Sequence, residues 1–442
     1  MLWPRVGGWL GPGGPPGLQN RRRAAQRAAV GSTPIHPRLR FLTVVIMLPD
    51  SSLTTMTERL LPAVRRVMFV AECTEGTPAL GYAARFRGTL NGASEAAFTH
   101  LDPIFESQGM GLFFRKEGDL DVILAVAGRQ QPRPSNPWIL GGLLGLTILS
   151  VLFAGIMYGY TGPPTLRNIL RAWPVGVPFA ASLITILGAH ELGHYFAARR
   201  HGTPVSLPYF LPFPGSPFGT LGAFIQLKQT PRDRNALLDI AMAGPLAGLL
   251  PAIPLLIYGL SHSTIGPLPT DPHLLGGLEG NSILYLALKW IVTGRLLPAP
   301  ASYAGVPPLL YWIRYVFTGT PLPLGGTDVY LHPVAWAAWA GLLVTALNLI
   351  PAGQLDGGHV MYVVLGERAR RLWPFLLGGL LLLGLVWQGW LLWAGLIFLF
   401  GRTYARPLDE ITPLDPRRKA VAAFGLLLFF LLFIPLPLLS LT

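Results

Sequence analysis

The sequence predicts a mainly α-helical polytopic membrane protein, with a membrane-associated β-hairpin and a small N-terminal α+β cytoplasmic domain. Its apolar runs correspond to about six to seven transmembrane segments. Three observations carry this reading. Hydrophobic residues make up 51% of the 442-residue chain and charged residues only 12%, about half the charged share of an average soluble domain. The apolar residues are blocked into long runs. The few charges gather in one stretch near the N-terminus and at the ends of those runs. Such an apolar chain is not disordered over most of its length. The single cysteine, Cys73, excludes an intramolecular disulfide, and with it a disulfide-stapled secreted module.

Residues 1–49 hold seven arginines and no acidic residue, amid many Gly and Pro. This stretch reads as a disordered arm, or as an overlong start with Met47 or Met56 as the true first residue. The arginines come without any nucleic-acid motif, so no nucleic-acid partner is expected. Residues 50–128 have soluble character. Thr57 to Val67 is an amphipathic helix, Val67 to Cys73 and Ala79 to Leu90 are strands, and Ser94 to Gly109 is a helix opened by a Ser94-Glu95 cap signal. Gly111 to Lys116 and Leu120 to Ala127 form a hairpin turning through Glu117-Gly118-Asp119. Residues 129–137 are a proline-rich linker. Residues 138–442 form the membrane domain.

Trp138 to Tyr160 carries no charge and exceeds the ~20 residues needed to span hydrocarbon at 1.5 Å per residue. Trp173 to Ala198, Ala236 to Leu260, Pro333 to Ile350 and Ala420 to Leu439 are further runs. Leu372 to Phe400 is too long for one ordinary span and is interrupted by Trp387-Gln388-Gly389. It reads as two short helices or one strongly tilted helix. Arg199, Arg200, Arg232, Arg234, Arg368, Arg370, Arg371, Arg417 and Arg418 flank these runs. Placing them all in the cytoplasm gives one consistent path in a cell membrane of bacterial type, with the N-terminal domain inside. The segment from about Ser261 to His332 then lies mainly outside, with Ile283 to Val292 and Leu309 to Phe317 as membrane-hugging helices.

The chemistry sits on the second run. His190-Glu191-Leu192-Gly193-His194 is H-E-x-x-H on a helix. Histidines at i and i+4 share one face, so both imidazoles reach one tetrahedral Zn²⁺. Glu191 projects beside them, placed to take a proton from zinc-activated water. Three ionisable residues in five positions of an apolar helix need a reason, since one charge at mid-bilayer costs about 2.5–3.5 kcal/mol on insertion scales. A catalytic zinc needs a third protein ligand. The segment from Asn348 to His359, NLIPAGQLDGGH, offers Asp356 just past a later run, beside glycines that let the backbone bend close.

HELGH ending one apolar helix and NLIPAGQLDGGH ending another resemble the site-2 protease family of intramembrane zinc metalloproteases, in its bacterial and plastid-type branch. The stretch His332 to His359, the segment Gly219-Thr220-Leu221-Gly222-Ala223-Phe224-Ile225 and the tail PLDEITPLDPRRKA from Pro407 add to the likeness. It covers roughly Trp138 to the C-terminus, with no PDZ-like insertion. The resemblance implies His190, His194 and Asp356 as ligands of one Zn²⁺ per chain and Glu191 as general base. It implies Asn348 as the group that positions the scissile carbonyl or stabilises its oxyanion. His359 and Gln354 have no settled role.

Pro208 to Lys228 is too rich in Pro and Gly for a helix, and Leu221 to Leu227 suggests a strand. Irregular backbone at membrane depth survives only against protein or water. The segment is expected to be a hairpin whose edge pairs with an unwound substrate. The function expected is hydrolysis of peptide bonds in membrane-anchored proteins. The alternatives are a multi-pass transporter, which would show inverted repeats, and a non-proteolytic zinc-binding membrane protein. The sequence shows no such repeat and retains Glu191. The lipid bilayer is the second partner expected, and oligomeric state is not legible.

Overall fold

The computed structural model describes residues 55–128, 134–272, 277–303 and 305–440. The arm at 1–49 lies outside the described residues. The first layer runs α1 (Met56–Val67), β1 (Met68–Glu75), β2 (Ala84–Leu90), α2 (Ser94–Ser107), β3 (Met110–Glu117) and β4 (Leu120–Ala127), the expected α-β-β-α-β-β order. Thr55 and Glu58 open α1 as a reciprocal capping box. The sheet is antiparallel, in the order β1-β2-β4-β3. Leu60, Val64, Phe98, Leu101 and Phe105 of the helices cover Phe86, Phe114 and Ile123 of the strands. Glu117 pairs with Leu120, so the hairpin turn is only Gly118-Asp119, and Gly118 takes the left-handed φ of +62° that such a turn needs.

Two local expectations are corrected here. The strand expected from Ala79 starts at Ala84, because Pro78–Leu80 is a 3-10 turn. Ser94 does not cap α2. The cap position is Ala93, without a side-chain bond. The Ser94 hydroxyl instead donates to Asp409 at 2.6 Å, a partner far along the chain that a local signal cannot reveal.

The helical part follows. It contains α3 (Pro137–Gly159), α4 (Leu166–Arg171), α5 (Trp173–Arg200), the hairpin β5 (Tyr209–Pro212) and β6 (Thr220–Phe224), and α6 (Arg234–Ser261). Among the described residues, α3, α5 and α6 are long and apolar enough to cross a membrane. The next segment holds β7 (Thr264–Pro267), β8 (Gly277–Glu279), α7 (Ile283–Thr293), α8 (Pro308–Thr318) and β9 (Thr327–Tyr330). Here the ammonium of Lys289 is buried between Glu279 and Asp328, 3.1 Å from each.

The chain continues through α9 (Pro333–Asn348), α10 (Asp356–Leu365), α11 (Trp373–Gly384), α12 (Gly389–Phe400), α13 (Pro416–Leu432) and β10 (Leu438–Ser440). Of the two options for 372–400, the structure has two short helices. Trp373 Nε1 donates to the Ile397 carbonyl at 3.0 Å, which makes α11 and α12 an antiparallel helical hairpin. The last helix begins at Pro416, where Asp415 caps it, and stops at Leu432. The expected run to Leu439 fails because Pro435 and Pro437 cannot continue a helix. The chain extends instead, and β10 pairs with β8.

The core lies where α5, α6 and α9 meet around Phe179, Leu183, Ile186, Leu256 and Trp339. Close approach of α5 and α6 rests on small residues. A Cβ on Gly193 would overlap the Ala243 carbonyl and the Ala247 methyl.

Candidate metal centre

α5 presents His190, Glu191 and His194, all buried, in the last three turns before its arginine-flanked end. The helical pitch puts the two imidazoles on one face, edge to face at 71°, and their Nε2 atoms stand 3.2 Å apart. Asp356 arrives from α10, as the first residue of that helix. Its Oδ2 lies 3.3 Å from His190 Nε2 and 3.3 Å from His194 Nε2. Two glycines bring it there. Gly353 takes a φ of +57° against the Phe400–Gly401 backbone, and Gly357 packs on the Leu349 carbonyl where no Cβ fits. The N-terminal end of α10 also favours a carboxylate at this position.

The donor set fits a metal ion. A carbonyl only accepts, so the 2.7 Å contact between His194 Nδ1 and the Ile240 carbonyl places a proton on Nδ1. That leaves the neutral ring's lone pair on Nε2, facing the other imidazole and the carboxylate. Asp356 Oδ2 is buried and accepts no hydrogen bond. Nitrogen lone pairs and a bare carboxylate oxygen turned toward one point repel each other unless a cation lies between them. Two histidines and one carboxylate are a known catalytic zinc set, with a fourth position left open. The Ile240 carbonyl is the kind of outer partner that fixes a ligating ring.

These groups line a cavity of about 190 Å³ together with Glu191, Asn348 and Ile225. Ile225, just past β6, lines the same cavity as Glu191. Asn348 ends α9 with its Nδ2 3.4 Å from His190 Nε2. All five sequence-predicted site residues therefore meet at one cavity. His359 also lines it, with Nδ1 buried and unbonded, whereas Gln354 sits at its rim and donates to Thr403. Pro208 to Lys228 forms the expected hairpin, with Tyr209 opposite Phe224 and Leu211 opposite Gly222. The hairpin hangs on α3, where the Ser150 hydroxyl donates to the Gly219 carbonyl at 2.6 Å.

Sequence reasoning missed the α6 wall. A Cβ on Gly244 would overlap the His194 imidazole, and one on Gly248 would press on His190 at 3.2 Å. The signal was present as Gly244-x-x-x-Gly248, a small-residue spacing that lets helices approach closely.

A buried His-His-carboxylate cluster with a glutamate on the same helix, set among apolar helices, is an arrangement able to hold a catalytic metal beside a general base. Comparison with known proteins agrees. Residues 178–377 match Peptidase family M50, in agreement with the resemblance of the motifs to the site-2 proteases. It is similar to "Probable zinc metalloprotease EGY2, chloroplastic" of Arabidopsis thaliana, 28% identical over 80% of this chain and 60% of the relative. "Probable zinc metalloprotease EGY1, chloroplastic" of the same plant is 30% identical over 62% of this chain and 45% of the relative. The chain thus spans about half the length of the curated relatives it matches. No solved structure matches.

Proposed function

We propose that the chain is an intramembrane zinc metalloprotease that hydrolyses peptide bonds of membrane-anchored proteins in or near their transmembrane segments. The convergence of His190, His194 and Asp356 on one point beside Glu191 carries this reading. His190, His194 and Asp356 would hold one zinc ion per chain, which would supply Lewis acidity toward a carbonyl and a water whose pKa falls toward 7. Glu191 takes a proton from the attacking water and delivers it to the amine nitrogen as the C–N bond breaks, giving a carboxylic acid and a free amine. Asn348 donates its side-chain N–H to the carbonyl oxygen as charge grows there. A helix hides its carbonyls, so the scissile segment must be extended. The edge of β6, which leads straight to Ile225 beside Glu191, offers it a strand to pair with.

The proposed insertion counts α3, α5, α6, α9 and α13 as crossings and α11 with α12 as a helical hairpin, seven membrane segments in all. The curated relatives are named chloroplastic, so the expectation of a bacterial-type membrane coarsens to an integral membrane location. The proposal adds one orientation, with the arginine-rich helix ends, the α+β layer and the mouth of the site on the cytoplasmic side. Glu191→Gln tests the chemistry. Purified protein is expected to retain one zinc per chain and to lose cleavage of a membrane-anchored reporter, and an active variant would sink the mechanism.

A further inference from the structure

Residues 407–412 form a strap that bonds to the α+β layer on one side and to segments leading toward the metal centre on the other. On one side the strap extends the sheet. Asp409 bridges Phe114 of edge strand β3 in parallel, with Phe114 N–H donating to Leu408 at 2.9 Å and Glu410 N–H donating to Phe114 at 3.2 Å. Side chains lock this edge. Arg115 Nη1 donates to the carbonyls of Pro407 and Leu408 at 3.0 and 2.9 Å, and Ser94 holds the buried Asp409 carboxylate.

On its other side the strap touches α10 and the segment that leads into α6. Leu408 and Asp409 N–H donate to the carbonyls of Pro231 and Arg232 at 3.0 and 2.7 Å. The next residue, Asp233, caps α6, whose Ile240 carbonyl fixes His194. Glu410 accepts the Tyr362 hydroxyl at 2.6 Å, and Tyr362 is a buried residue of α10, the helix that Asp356 opens. Val360 and Val363 of α10 pack on Leu237, Leu238 and Ala241 of α6 in one cluster with Tyr362. α10 has 10 residues. Its near end is set by the tight Gly357 contact, and its far end by Tyr362 against Glu410.

We propose that Glu410 and Tyr362 are positioning residues for Asp356, and that the α+β layer tunes the metal centre by holding the strap that carries Glu410. The layer contributes no side chain to the cavity, yet the strap it grips touches α10, which carries Asp356, and the segment that leads into α6, which carries the His194 partner. A ligand or a partner protein that pried β3 from the strap would relax both helices together. This rests on the reading of Asp356 as a metal ligand.

The test uses the full-length protein in detergent, stripped of metal and titrated with Co²⁺, whose absorption spectrum reports ligand geometry. Partners one step removed from a ligand change affinity by about 10–100-fold, so Glu410→Gln and Tyr362→Phe, which act through a helix, are expected to weaken binding about tenfold and to shift the Co²⁺ bands. Ser94→Ala, at the sheet side of the strap, is expected to shift them in the same direction. Glu72→Gln, on the opposite edge strand β1, is the control expected to change nothing. If Asp356→Asn leaves binding intact, the reading of the centre fails. If Asp356→Asn abolishes binding while the Glu410 and Tyr362 variants keep native affinity and spectrum, the inference fails by itself.

Discussion

At the scale of single residues, the site's legibility followed the locality of its chemistry. His190, Glu191 and His194 are readable because one helical turn sets their relation. Asp356 needed a second motif far along the chain. Gly244 was invisible for the opposite reason, since its role is the absence of an atom beside His194. Gly244→Ala is expected to push the imidazole off its Ile240 partner, with an overpacking cost of about 1–3 kcal/mol, and zinc content and thermal midpoint should both fall. Asn348→Ala, which removes only a donor, is expected to keep its zinc and lose about 10²–10³ in kcat. Loss of metal in that variant would instead make Asn348 a structural support for His190.

At the scale of elements, the helices read well from apolar length, and the hairpin from the Pro and Gly that exclude a helix. What escaped were pairings between distant segments. The 407–412 strap and the β7–β9 and β8–β10 pairs rest on main-chain hydrogen bonds, which carry no side-chain signature, and the Lys289 triad joins side chains 10 and 39 residues away in sequence. The hairpin makes its own prediction. Leu221 and Phe224 stand exposed at 64% and 46% on β6. Leu221→Asp removes an apolar contact worth about 1.5–3 kcal/mol when buried. Cleavage of a membrane-anchored substrate should drop about tenfold or more, while zinc content and hydrolysis of a short unstructured peptide hold. An equal loss on both substrates would count against the strand-pairing role.

At the scale of the whole molecule, a metal held by His190, His194 and Asp356 would couple helices that are far apart in sequence. A ligand bound at about 100 times its Kd adds about 2.7 kcal/mol to stability, so a chelator should lower the thermal midpoint of the native protein and leave that of Asp356→Asn unmoved. Acid acts at the strap. Burial tends to raise the Glu410 carboxyl, but hydrogen bonds from Arg406 and the charge of Arg115 outweigh it and hold the group below its usual range. A carboxyl depressed in the folded state contributes stability above its unfolded value, and that contribution is lost as pH falls through the folded one. The strap is therefore expected to loosen below about pH 4, read as faster amide exchange at 407–412 than in the β1–β2 pair. The hairpin's anchorage has a consequence of another kind. Ser150 fastens Gly219 to α3, and α3 is the least buried of the three long helices. Such a helix tilts to match the thickness of its bilayer, and a hairpin acting as the proposed substrate rail would follow that tilt. Proteolysis should then peak at one lipid acyl length in reconstituted vesicles, and Ser150→Ala should flatten that peak.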